Sequence, residues 1–280
     1  MARTRVASKK VDDKRKRKFK RISRISLIVS FSFIALFFLV GFIFSRPTFL
    51  VKDISIIGVQ ALEEEDIQEY LQERMQERIF GTYSRGSALF FSEQYMEESL
   101  LEQFPRIERV MFVVNESKVS VIITERGSLY LGCFDRETDT CYFVDEKGFV
   151  FAESPYFSGT VFFRWYPNKH IQIEDTVSSF ETFNSLTSLA DRISEVNMTV
   201  YGLEFLEKTY RLYIDNPHKN KKAAYIEISK DFDEEQVMQY ISKALATEDL
   251  SKRFVDEREK LEYIDLRFES KIFYRFWGDE

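Results

Sequence analysis

Carboxylates are the most abundant reactive side chains in this chain, 46 Asp and Glu among 280 residues. They cluster as Glu63-Glu64-Glu65, Glu97-Glu98 and Asp233-Glu234-Glu235. A wall-cleaving hydrolase would need two such groups facing each other across a cleft, one as acid and one as base or nucleophile. These runs instead fall at expected helix starts and on helix faces, where acids complement the positive helix end and meet water. His170 follows Pro167-Asn168-Lys169 and His218 follows Asp215-Asn216-Pro217, both polar turns with no Ser or Cys nucleophile motif beside them. No Gly-rich phosphate loop and no metal-ligand spacing is present. No catalytic, cofactor-binding or metal-binding residue is assigned, and the chain reads as a non-enzyme with no small-molecule substrate.

The two cysteines, Cys133 and Cys141, lie on the apolar stretches LYLGC and CYFV on either side of the polar segment FDRETDT. They can face each other across a hairpin as a disulfide, or pack as reduced thiols; a compartment outside the cytoplasm favours the disulfide. A metal site needs more ligands than these two cysteines, and His170 and His218 are the only histidines in the chain.

That compartment follows from the start of the chain. Residues 1–24 hold 12 Lys and Arg against Asp12 and Asp13, a local net of +10, and Ile25 to Ser45 form an uncharged apolar run between Arg24 and Arg46. At about 1.5 Å per residue this run covers roughly 30 Å, the thickness of a bilayer core, and the basic flank is the side that stays cytoplasmic. The expectation is a disordered basic tail at 1–24, a retained transmembrane helix at 25–45 flanked by Arg24 and Arg46, and an exported remainder. Residues 25–280 carry 28 Lys and Arg against 44 Asp and Glu, a net of −16 that the overall −6 conceals. An exported part this acidic does not suggest nucleic acid or an anionic surface as its partner.

Beyond the short exit Arg46-Pro47-Thr48, a strand is expected over Phe49 to Ile57, then a turn at Gly58 and a helix with Ile67, Tyr70, Leu71, Met75 and Ile79 on one face. Gly81 and Gly86 bracket a loop, Ser92 can cap a second helix, and Pro105 stops it. Ile107 to Val114 and Lys118 to Glu125 are β-branched runs that form a hairpin. The unit is βααββ.

Strand-Gly-helix, a Gly-containing loop, helix-Pro-Arg-Ile, and a hairpin ending Val119-x-Val121-x-Ile123-x-Glu125-Arg126 resemble the POTRA domain of the FtsQ/DivIB family of bacterial cell-division proteins. The resemblance extends along the whole chain. Val144-Asp145, a turn at Gly148 and Val150-Phe151 resemble the start of that family's β domain, and Tyr263-Ile264-Asp265-Leu266-Arg267-Phe268 resembles its YxDLR signature. The resemblance implies an α+β protein: one transmembrane helix, a POTRA domain at 49–126, and a β-rich domain at 127–280 with an antiparallel sheet and flanking helices. In that domain the residues themselves predict strands at Val196 to Leu206, Tyr210 to Ile214 and Ala224 to Ile228, and helices around Phe180 to Ile193 and Asp233 to Ala246.

After the YIDLRF segment comes Lys271 to Trp277, expected as a last strand with one side unpaired. Such an edge can accept a partner strand: Phe268, Ser270, Ile272, Phe273, Tyr274 and Phe276 are the candidate partner-binding residues, with Lys271 and Arg275 guarding against indiscriminate pairing. The family resemblance implies that the partners are FtsB/DivIC-like and FtsL-like membrane proteins. The expected function is a non-enzymatic scaffold of the division machinery at the septum, in the cytoplasmic membrane with its N-terminus inside. Two alternatives stand beside it: a membrane-anchored envelope enzyme using carboxylates, and a POTRA-type chaperone for exported polypeptides.

Overall fold

The computed structural model describes residues 3–44, 50–51, 53–79, 81, 83–87, 90–115, 118–134, 136, 140–214, 223–268 and 271–279. Arg46, Ser270 and His218 lie outside the described residues. The protein is mixed α+β, and it divides into two compact units, residues 1–103 with 109–125, and residues 104–108 with 126–280.

The first unit opens with α1, Arg3–Phe44. The helix runs through the basic tail, which corrects the expectation of disorder there; Lys and Arg are good helix formers and extend a helix already nucleated by the apolar run. Within it, Phe19–Ile43 is long and apolar enough to cross a membrane by length and composition. Arg24 is an exposed residue of this helix.

Then follow β1 (Asp53–Ile57), α2 (Glu64–Gln76), the two-residue strands β2 (Arg78–Ile79) and β3 (Tyr83–Ser84), α3 (Glu93–Gln103), β4 (Ile107–Asn115) and β5 (Lys118–Glu125). The sheet order is β1-β5-β4, with β1 parallel to β5, and β2 and β3 pair as a small antiparallel ribbon between the helices. Helix α2 buries Ile67, Leu71 and Met75 at helical spacing, and the Ser92 hydroxyl accepts from the Tyr95 N–H to cap α3.

The turn from β1 into α2 is held by one side chain. The Glu125 carboxylate accepts from the backbone N–H groups of Gln60, Ala61 and Leu62 at 2.7 to 3.1 Å. Gly58 makes the close approach possible: its φ is +97°, and a Cβ there would lie 2.2 Å from the Ile123 carbonyl oxygen.

The second unit is built on one nine-stranded sheet. Its strands are β6 (Tyr130–Cys133), β7 (Cys141–Val144), β8 (Val150–Ser154), β9 (Phe163–Tyr166), β10 (Val200–Phe205), β11 (Thr209–Ile214), β12 (Ala224–Ser229), β13 (Leu261–Phe268) and β14 (Lys271–Phe276). The order is β14-β13-β12-β11-β10-β9-β6-β7-β8. Helix α4 (Phe180–Glu195) connects β9 to β10, while α5 (Glu234–Ala246) and α6 (Glu248–Asp256) connect β12 to β13. Both joined pairs are parallel, as is β6 with β9. The sheet is therefore mixed where a purely antiparallel one was expected, because a helical crossover returns the chain in its original direction whereas a tight hairpin reverses it.

The helices supply Phe183, Leu186, Leu189 and Ile193 from α4, Val237 and Ile241 from α5, and Leu250 and Phe254 from α6 to a core shared with Trp165, Leu203, Leu212, Ile226 and Ile264 of the sheet. Ser179 caps α4 and Asp233 caps α5. At the entry to the sheet, Arg126 is 17 % exposed and donates to the Pro105 carbonyl and to Asp145 Oδ2 at 2.7 Å, with its guanidinium 4.3 Å above the Phe149 ring. Asp145 Oδ1 accepts from the backbone of Lys147 and Phe149, which forms the turn that Gly148 completes. Cys133 and Cys141 are direct cross-strand neighbours on β6 and β7 and form a disulfide.

Removing the Glu125 carboxylate strands three backbone donors, so Glu125→Ala is expected to cost about 2 kcal/mol, and Gly58→Ala a comparable amount through strain and collision. Hydrogen exchange across residues 53–125 of the full chain in detergent checks both; unchanged protection in either variant contradicts the assignment.

Candidate partner-binding edge

Strand β13 positions the edge. It runs parallel to β12 through Tyr263, Ile264 and Asp265, and antiparallel to β14, with register shifts between Leu261 and Tyr263 and between Asp265 and Phe268. At the second shift the chain folds Arg267 back onto Asp265, two residues away: the guanidinium donates to Asp265 Oδ1 at 2.8 Å and Oδ2 at 2.6 Å, and the Arg267 N–H donates to Oδ1. The same guanidinium lies 3.3 Å from Glu227 Oε1 on β12. Glu227 also accepts from the Thr209 hydroxyl and the Arg211 guanidinium of β11. Glu227 and Asp265 are 8 % and 7 % exposed, so two buried carboxylates are neutralised by two arginines across three strands. Burial pushes the Asp265 carboxyl up, but the Arg267 side chain and N–H outweigh that and hold it below the usual carboxylate value.

Strand β14 ends the sheet order, with no further strand beside it among the described residues. Which backbone groups it offers follows from one bond. The Trp277 N–H donates inward to the Lys260 carbonyl, so by strand alternation the N–H groups of Arg275, Phe273 and Lys271 also face β13. Those of Phe276, Tyr274 and Ile272 face outward. The first is already taken, because Phe276 N–H donates to Asp279 Oδ2, itself held by a two-pronged Arg253 guanidinium at 2.8 and 3.0 Å. The open edge is therefore short, with Ile272 and Tyr274 presenting the outward donors that have no partner among the described residues.

The side chains divide differently from the sequence expectation. Phe276 is fully buried and belongs to the core; Ile272 and Tyr274 are packed against the same core on the helix side, and the Tyr274 hydroxyl donates to Asp249 at 2.8 Å. These three are correctly placed in the strand, but Phe276 cannot offer its ring to a partner, since alternation turns every second residue inward. On the opposite face, Phe268 and Phe273 are 48 % and 46 % exposed, and their rings meet edge-on at 5.3 Å. Lys271 and Arg275 are exposed beside them. Sequence reasoning missed the Asp279–Arg253 plug, whose partners are 26 residues apart with no local pattern linking them.

The acidic run Asp233-Glu234-Glu235 has structural partners. Asp233 Oδ1 accepts the Gln236 N–H at the start of α5, and Glu234 and Glu235 pair with Arg192. They line a shallow cleft of about 480 Å³ with Lys230 and Phe232. Among the described residues no group of three or more His, Cys, Asp or Glu side chains is arranged to hold a metal ion. No protein-family model matches the chain, and no curated protein matches it.

Arg267→Ala leaves Glu227 and Asp265 short of a counter-charge and is expected to cost about 2 kcal/mol, less than for a fully buried pair because Arg267 is partly exposed. The depressed Asp265 pKa has a defined sign: its stabilisation is complete above the unfolded value of about 3.9 and is lost as pH falls through the folded value. Acid titration of thermal stability should therefore show a shallower decline below about pH 4 in Asp265→Asn, and an unchanged slope would remove the carboxylate from this role.

Proposed function

We propose that this chain is a non-enzymatic, single-span scaffold of the bacterial cell-division machinery, of the FtsQ/DivIB type. In this reading α1 anchors the protein with its basic end in the cytoplasm, the small unit is a POTRA domain that docks other division proteins, and β14 recruits a strand from an FtsB/DivIC-like partner associated with an FtsL-like one. The order β1-α2-α3-β4-β5, with a parallel β1–β5 pair and a Gly58 turn clamped by Glu125, supports the POTRA reading. The observation that carries the proposal is the edge of β14: two outward backbone donors, an exposed Phe268–Phe273 pair on one face, and flanking Lys271 and Arg275. A strand added there gains main-chain hydrogen bonds from the edge and side-chain contact from the two rings.

The edge dictates the test. A proline at Phe273 would remove a bond to β13 and damage the protein's own sheet, whereas Ile272→Pro removes an outward N–H, the side on which edge strands tolerate proline. Pull-down of the full chain with candidate single-span coiled-coil division proteins should lose a partner in Ile272→Pro and keep it in Ile272→Ala. Equal capture by both variants overturns strand addition, and a uniform membrane distribution of a fluorescent fusion in dividing cells overturns the septal role.

Membrane orientation has its own readout in the disulfide. Intact cells treated with an impermeant maleimide should label Cys133 and Cys141 only after an impermeant reductant has opened the bond. Labelling that requires cell lysis would place the second unit in the cytoplasm.

A further inference from the structure

Strand β4 ends in apolar residues that neither the core nor water explains. Val110 to Val114 is a run of five apolar residues on the outermost strand of its sheet. Val110 is buried, but Met111 is 51 %, Val113 53 % and Val114 38 % exposed. Adjacent residues of a strand point to opposite faces, so Val113 and Val114 leave both faces of the strand end apolar. A strand end standing in water carries polar side chains on at least one face.

This end of the sheet lies beside the outer end of α1, within one compact unit. Strand direction gives the first sign of it. β1 is parallel to β5 with Asp53 level with Lys118, and Asp53 follows the end of α1 at Phe44 by nine residues. β4 finishes at Asn115, three positions before Lys118, so Val113 and Val114 sit at the end of the sheet where the chain arrives from the helix. A path of aromatic rings gives the second. Tyr83 donates its hydroxyl to the Phe37 carbonyl at 2.6 Å and meets the Phe37 ring edge-on at 4.9 Å. It also meets Phe90 at 4.5 Å, and Phe91, the next residue, meets Phe112 of β4 at 5.8 Å. Phe37 is seven residues before the end of α1, about 10 Å back along the axis at 1.5 Å per residue, inside the apolar Phe19–Ile43 segment.

We propose that the end of β4 is a second membrane contact of this protein, with Phe112, Val113 and Val114 seated at the headgroup boundary of the leaflet where α1 ends. The inference rests on reading α1 as membrane-spanning, and it adds that the first unit lies against the bilayer instead of swinging on its anchor. Interfacial segments bury their apolar face about 5–10 Å into that boundary, where aromatic rings are also favoured. Asn115 and Lys118, both exposed and polar, then remain among the headgroups. The contact is apolar, so it needs no anionic lipid.

The test uses the full chain in phosphatidylcholine nanodiscs at one copy per disc, with one added cysteine carrying an environment-sensitive fluorophore while Cys133 and Cys141 stay joined. Val113→Cys is compared with Thr124→Cys, exposed at the other end of the hairpin, and with Leu36→Cys within α1. The label at position 113 should emit blue-shifted and be quenched by lipid bearing a nitroxide near its headgroup, and the label at position 124 should show neither. Adding Val114→Asp to Val113→Cys should abolish that quenching, because a carboxylate resists leaving water. Equal responses at 113 and 124, or quenching that survives Val114→Asp, overturn the contact. So does a label at 113 shielded from both the lipid nitroxide and aqueous iodide, the sign of a protein cover. The label at position 36 separates the two claims: quenching there by a nitroxide near the acyl-chain end keeps the span even where the contact fails, and its absence removes both.

Discussion

The far end of the large sheet depends on the neutralisation of Glu227 and Asp265. A buried carboxylate without a counter-charge is among the costliest features a fold can carry, and here two of them stand on adjacent parallel strands, β12 and β13. Arg211 reaches one from β11, and Arg267 reaches both by turning back within its own strand. That backward turn coincides with the register shift before Phe268, so the same arrangement that satisfies the charges also shapes the strand against which β14 lies. Electrostatics and edge geometry are one feature.

Packing on a single face explains the rest of the sheet. With α4, α5 and α6 sharing one core, the strands joined through them run parallel, while β10 with β11, β11 with β12 and β13 with β14, joined without a helix, pair as antiparallel neighbours. Along β14, alternation then assigns Ile272, Tyr274 and Phe276 to the helix side and Phe273 to the other. The free backbone is confined further by Asp279 and Arg253, which occupy the outward donor at Phe276. An edge with two outward donors between guarding cations is far less prone to indiscriminate pairing than a long bare strand.

Much of the architecture was legible from local pattern. The alternation of Val119, Val121 and Ile123, the helical spacing of Ile67, Leu71 and Met75, the capping position of Ser92 and the acidic helix start at Asp233 each depend on neighbours within a few residues, and those signals survive in a single sequence. The two-residue strands β2 and β3 escaped, standing where Ile79 was expected on a helix and a loop after it, and so did two longer elements. Strand β9, Phe163–Tyr166, is a four-residue aromatic-rich run between turn residues with no alternation long enough to register, and α6, Glu248–Asp256, follows α5 so closely that its short apolar stripe of Leu250 and Phe254 is easily merged with a loop. The parallel pairings escaped as well, since direction is a property of the connection and of what packs over it.

What the sequence determined by itself is the one apolar helix behind a basic segment, the acidic remainder, and the presence of most strands and helices, because charge, hydropathy and period are carried by residues close together in the chain. It also brought Cys133 and Cys141 to a hairpin where only eight positions separate them. Only the tertiary structure decided which backbone donors of β14 point outward, that Phe276 is core and Phe273 exposed, that Arg267 serves Glu227 forty residues earlier, and that Tyr83 reaches the carbonyl of Phe37. These are relations between distant segments: the hydrogen-bonding side of a strand is set by its neighbour's register, and a buried charge is balanced by whichever cation the fold brings within reach.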